Sequence, residues 1–105
     1  MQMGTERIAS PALEAFIDRT IELAKARGYI PTIFIGMRRQ YGTLEAIERL
    51  VQTGDIQSGF KRLAQLGLAD WTIEAAVTKF TNEFSRHARE CAEWRLEQLH
   101  QKRTR

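Results

Sequence analysis

The chain has 105 residues, 43% hydrophobic and 28% charged, the balance of one globular domain with its own core rather than of a disordered or collagen-like chain. Its net charge is +3, but Lys102, Arg103 and Arg105 lie in the last four residues, so residues 1–101 carry 13 cations against 13 anions. The basic character belongs to the tail, and composition gives no support to the basic folded face that a nucleic-acid-binding domain presents.

Residues 1–9 read as a flexible N-terminal arm, 10–101 as one helical domain and 102–105 as a basic tail. Ser10-Pro11 supplies an N-cap and a proline at the first helical position, where its missing N–H costs nothing. Leu13, Phe16, Ile17, Ile21, Leu23 and Ala24 recur at helical spacing, and Gly28 stops the helix. Ile30-Pro31 opens a second helix with Ile33, Phe34, Met37 and Tyr41 facing inward, ended by Gly42. Thr43 is expected to cap a third helix that buries Leu44, Ile47, Leu50 and Val51 and closes at Gly54. Ser58 caps a short fourth helix with Phe60, Leu63, Ala64 and Leu66, terminated by Gly67. Asp70 or Thr72 caps a fifth, carrying Ile73, Ala76, Val77 and Phe80. Ser85 caps the last and longest, with Phe84 as a hydrophobic staple and a stripe of Ala88, Cys91, Ala92, Leu96 and Leu99.

No segment alternates with period two over a useful length, and the β-branched cluster at Ile30–Ile35 contains Pro31. The expected fold is therefore all-α, a single compact domain of five to six helices in an orthogonal or irregular bundle with a long C-terminal helix.

Candidate chemistry is sparse. His87 and His100 are thirteen residues apart on one helix, which turns them about 140° away from each other and rules out a shared metal within one chain. Cys91 falls on the apolar stripe, where a cysteine acts as a small hydrophobe; His87 at i−4 is its only local base. Arg95 sits on that same apolar face, where a guanidinium must reach solvent or meet a carboxylate. Glu74, at the start of the preceding helix, is the expected partner, and the pair would fix the packing of the last two helices. Arg38-Arg39 and Lys61-Arg62, with the tail cations Lys102, Arg103 and Arg105, are candidate contacts for nucleic acid or an acidic partner. Trp94 points off the stripe and is a candidate protein contact. A helix-turn-helix over 33–51 fails on Arg38, which stands where a small residue is needed, and on Glu45 and Glu48, which would face phosphates.

The residues Gly28-Tyr29-x-Pro31-x-x-Phe34-x-x-Met37, Gly42, Ala46, Leu50, Gly59-Phe60-x-x-Leu63, Leu68-x-Asp70-x-Thr72-Ile73-Glu74, Phe84 and Ala92-x-x-Arg95-Leu96 resemble the pattern of a family of small, poorly characterised bacterial helical domains. The resemblance spans about residues 28–97, and its elements are cap, turn and core residues; Trp71 departs from it where an aliphatic residue is commoner. It implies domains that occur alone or beside nuclease-type domains in bacterial and mobile-element proteins, and it implies no catalytic residues.

The expected function is a non-enzymatic interaction module for a protein partner or for self-association, in a bacterial mobile-element or defence setting. The alternatives are a nucleic-acid-binding accessory protein and a small inhibitor of a host defence complex. No metal, cofactor or small-molecule substrate is expected. Residues 1–7 have no signal-peptide pattern, no run approaches the ~20 apolar residues that cross a bilayer, and the single cysteine cannot make an internal disulfide. A cytoplasmic protein without membrane attachment is the corresponding expectation.

Overall fold

The computed structural model describes residues 8–53 and 58–103, and among them every regular element is helical. The order is α1 (Pro11–Ala26), α2 (Thr32–Tyr41), α3 (Thr43–Val51), α4 (Ser58–Gln65), a 3-10 turn at Ala69–Trp71, α5 (Ile73–Lys79), a second 3-10 turn at Thr81–Glu83, and α6 (Arg86–Arg103). The all-α expectation holds, with six α-helices among the described residues and the longest at the C-terminal end.

The helix boundaries follow from their caps. The Ser10 hydroxyl accepts from the Leu13 amide at 3.1 Å, and both the hydroxyl and the amide of Ser10 donate to Glu83, at 2.5 and 2.9 Å. One residue thus starts α1 and ties it to the turn before α6. Thr72 caps α5 by accepting from the Ala75 amide, and Ser85 caps α6 by accepting from Ala88. Helices α1 and α4 end alike. Gly28 and Gly67 have φ of 85° and 81°, and the next amides, of Tyr29 and Leu68, bond back to Ala24 and Leu63 at 2.9 and 2.8 Å. This is the Schellman closure that a left-handed glycine permits.

The main core joins Leu13 and Ile17 of α1, Phe34 of α2, Leu44, Ala46, Ile47 and Val51 of α3, Ala76 and Val77 of α5, Phe84, and Ala88 and Ala92 of α6. Small residues at the α5–α6 contact let those helices approach closely. A second, smaller cluster joins Ala24 of α1, Leu63 of α4 and Leu68, with Leu23, Tyr29, Leu66 and Trp71 packed around it. Trp71 stacks on Phe16 with centroids 4.8 Å apart, and Phe80 meets the same ring edge-on at 5.7 Å. Thr20 is buried within the otherwise apolar face of α1 because its hydroxyl reaches the carbonyls of Trp71 and Phe16, at 2.7 and 3.0 Å.

Four local expectations are corrected. Ile33 and Tyr41 do not face inward; they are 71% and 40% exposed. Ile33 and Phe34 are adjacent, so α2 can turn only one of them fully into the core, and Phe34 takes that place. Tyr41 lies instead under the Arg49 guanidinium, 4.0 Å from its centroid. Thr43 is the first helical residue of α3 rather than its cap; Gly42 stands at the cap position without a side-chain bond. Cys91 is half-buried rather than buried. Helix α6 continues through Lys102 and Arg103, so the basic tail does not begin as a separate segment at 102. Residues 1–7 of the expected arm, the expected stop at Gly54, and Arg105 lie outside the described residues, as do the side chains of Ser58, His100, Lys102 and Arg103.

Candidate functional site

Between the two clusters lies a cavity of about 150 Å³. Its walls come from the second half of α1 (Thr20, Ile21), the Tyr29–Pro31 connection, the first turn of α2 through Phe34, Leu50 of α3, Gly59, Phe60 and Leu63 of α4, and Thr72–Glu74 at the start of α5. Phe34 belongs to the main core and Leu63 to the smaller cluster, so the space is the seam where the two packings fail to meet. Its outer edge carries Ile30 and Ile33, 56% and 71% exposed. Gly59 matters here sterically: a Cβ at that position would stand 3.1 Å from the Tyr29 hydroxyl. Glycine lets the α4 backbone and Tyr29 share this wall.

Besides Thr20, Tyr29, Thr32 and Thr72, the wall includes one charged residue, Glu74, which is fully buried. Its Oε2 accepts from Arg95 Nη1 at 2.6 Å, and Arg95 Nη2 donates to the Thr53 carbonyl at 3.0 Å and lies 3.3 Å from the Thr53 hydroxyl. One guanidinium therefore ties α6 to α5 and to the end of α3. The residue pattern alone pointed to this pair, and the structure brings its members together. It also shows what spacing could not: among the described residues no group donates to Glu74 Oε1. Burial pushes the Glu74 carboxyl above the ordinary carboxylate range, against the opposing pull of Arg95 and of its own amide.

The basic candidates separate into two kinds. Arg38 is committed internally, with Nη2 2.6 Å from Glu14 Oε1, Nη1 2.9 Å from Asp18 and Nε 3.0 Å from the Thr43 hydroxyl. Thr43 in turn donates to Glu14 at 2.7 Å. Arg38 thus serves as a latch between α1, α2 and α3 and is withdrawn as an outward contact. Arg39, Lys61 and Arg62 are exposed. Trp94 is 56% exposed, on the side of α6 opposite to its packed alanines. Glu48, expected to crowd a DNA-facing helix, instead holds the start of α6. Its carboxylate accepts from the Ser85 amide at 2.8 Å and lies 3.3 Å from the Ser85 hydroxyl.

Cys91 Sγ is 3.7 Å from His87 Nε2. Nucleophilic catalysis also needs a group that orients the base, and the contact stands on an exposed helix face away from the cavity. Among the described residues no group of three or more His, Cys, Asp or Glu side chains is arranged to hold a metal ion, and no helix is long and apolar enough to cross a membrane.

The cavity itself was not legible from the residue pattern. Two signals for it exist there: adjacent Ile33 and Phe34, which cannot both face inward, and Gly59 directly before the core residue Phe60. No protein-family model, curated protein or solved structure matches this chain.

Proposed function

We propose that this chain is a non-enzymatic helical module that binds another protein through the face around the cavity mouth. One observation carries the proposal: two large aliphatic side chains, Ile30 and Ile33, stand more than half exposed beside an apolar cavity that the fold leaves unfilled. Exposed apolar side chains scattered singly are ordinary, whereas a pair bordering an apolar depression gives a partner both a surface and a socket. The family-like sequence pattern supports a bacterial mobile-element or defence setting, in which an inhibitor of a host complex is one form such a module takes. Nucleic acid is the weaker partner class, because Arg38 is spent on Glu14 and Asp18 and the other described candidates, Arg39, Lys61 and Arg62, stand on two helices.

The test compares the wild-type chain with Ile33→Asp in affinity capture from source-cell extract, with light scattering on each. A protein retained by the wild type and lost by the variant, at unchanged circular dichroism, is the expected outcome. A mass that rises above the 12.1 kDa monomer with concentration, and returns to it in Ile33→Asp, identifies a second copy as the partner. Capture indifferent to Ile33→Asp, or duplex DNA binding that falls steeply with salt and survives the substitution, overturns the reading.

A further inference from the structure

Five helices line the cavity with apolar side chains: Ile21 of α1, Phe34 of α2, Leu50 of α3, Phe60 and Leu63 of α4, and Ile73 of α5. Most of the polar side chains in the wall are committed elsewhere. The Thr20 hydroxyl lies 3.0 and 2.7 Å from the Phe16 and Trp71 carbonyls. The Thr72 hydroxyl donates to the Ala69 carbonyl and accepts from the Ala75 amide, both at 3.0 Å. Glu74 has no accessible surface and is bonded to Arg95. Tyr29 and Thr32 remain, and Thr32 is exposed beside Ile33 at the outer edge. A buried water needs several polar partners, and Tyr29 alone does not supply them.

The volume is about 150 Å³, and an apolar cavity of that order walled by leucine, isoleucine and phenylalanine takes up benzene. We propose that this cavity is a binding site for a small uncharged apolar molecule, a single ring or branched hydrocarbon of about six carbons. A charged or strongly hydrated ligand would give up its water here and find no replacement for it. The position of the site gives occupancy a consequence. Phe34 belongs to the main core and Leu63 to the α4 cluster, so one ligand between them touches both packings and ties the α4 side to the rest. A molecule that binds only the closed state of a locally opening region holds that region shut. This inference goes beyond the partner reading above: it is expected to hold whether or not a protein meets Ile30 and Ile33.

The experiment titrates the full chain with benzene and follows the methyl signals of Ile21, Leu50 and Ile73 by NMR. Ile8, 84% exposed, reports non-specific contact. The expected result is saturable shifts at the three lining residues, nuclear Overhauser contacts from benzene protons to their methyls, and no change at Ile8. Amide exchange in α4 should slow at saturation. Glycerol, with the same number of heavy atoms but three hydroxyls, should give no saturable shift. Leu50→Phe places a ring in the space, and saturable shifts at Ile21 and Ile73 should be lost in it. Shifts that rise without saturating, an equal response at Ile8, glycerol binding as well as benzene, or binding that survives in folded Leu50→Phe would overturn the proposal. Unchanged α4 exchange at saturation would overturn it too, since the ligand would then not lie between the clusters. The benzene-to-methyl contacts on the unmodified chain decide even where Leu50→Phe does not fold.

Discussion

The main core and the cluster around α4 are held by different means. In the main core, Leu13, Ile17, Ala46, Ile47, Val51, Ala76, Val77, Ala88 and Ala92 are completely buried, and side-chain bonds lock the elements around them: Ser10 to Glu83, Arg38 to Glu14, Glu48 to Ser85, Arg95 to Glu74. The α4 cluster has three buried apolar residues, of which only Ala24 is at zero exposure. It is joined to the rest by Arg27 donating to the Leu66 carbonyl, by Thr20 on the Trp71 carbonyl and by the Phe16–Trp71 stack. The difference teaches where the molecule can yield. A region with few buried apolar contacts opens at lower free energy than the global transition, and the cavity lies along the border of that region.

The largest expected effect breaks the better-held side. Arg95→Ala leaves Glu74 buried without its cation and should cost about 3–5 kcal/mol, measured by denaturant unfolding, whereas Glu74→Leu/Arg95→Met should stay near wild type. A cost below about 1 kcal/mol for Arg95→Ala would show that the pair does not secure α5, α6 and the end of α3. The same pair sets a pH dependence. A carboxyl whose folded-state pKa lies above its usual 4.5 is protonated more readily in the folded than in the unfolded chain. Its contribution favours folding most below 4.5 and declines as pH rises from there through the folded value. The double variant should lack this component, so the difference in unfolding free energy between the two proteins, followed from pH 4 upward, isolates it.

Next in size is a pair of truncations, one on each side of the cavity. Ile47→Ala should cost about 4 kcal/mol, because a fully buried site packed from several helices collapses poorly. Leu63→Ala should cost about 2 kcal/mol and speed amide exchange in α4 and the Ala69–Trp71 turn without affecting α3, α5 or α6. Equal costs, with exchange accelerated everywhere, would show that the two clusters form one cooperative core. Gly67→Ala follows at about 1–2 kcal/mol, the cost of a Cβ at φ 81°, and its effect should also be confined to the α4 side.

Local signals were legible on both sides of the cavity, and among long-range ones the Glu74–Arg95 pair. Caps and stops depend on residues near each other in the chain, so Ser10-Pro11, Gly28, Gly67, Thr72 and Ser85 could be read locally. Glu74 and Arg95 were legible because a charge on an apolar stripe demands a partner, and one carboxylate stood at the right helix start. Arg38 was misassigned because its partners Glu14 and Asp18 are more than nineteen positions away, on a helix whose orientation the sequence does not give. The cavity was invisible for a related reason. A void is a property of three-dimensional mismatch, and periodicity counts side chains on a face without measuring whether the opposing face reaches them. Ile33 illustrates the point: it has the right spacing for the core, yet only Phe34 beside it is accommodated there.

The smallest expected effects separate surface from support. Trp94→Ser and Ile33→Asp should each change unfolding free energy by no more than about 0.5 kcal/mol, as befits side chains 56% and 71% exposed. They differ in what else they should change. Ile33 borders the cavity from the first turn of α2, so its substitution should abolish partner retention. Trp94 projects from α6, whose packed face is Ala88, Ala92 and Arg95, and its substitution should leave partner retention intact. Loss of the partner in Trp94→Ser with retention in Ile33→Asp would move the docking surface to α6, making the cavity at the seam a packing defect rather than a socket.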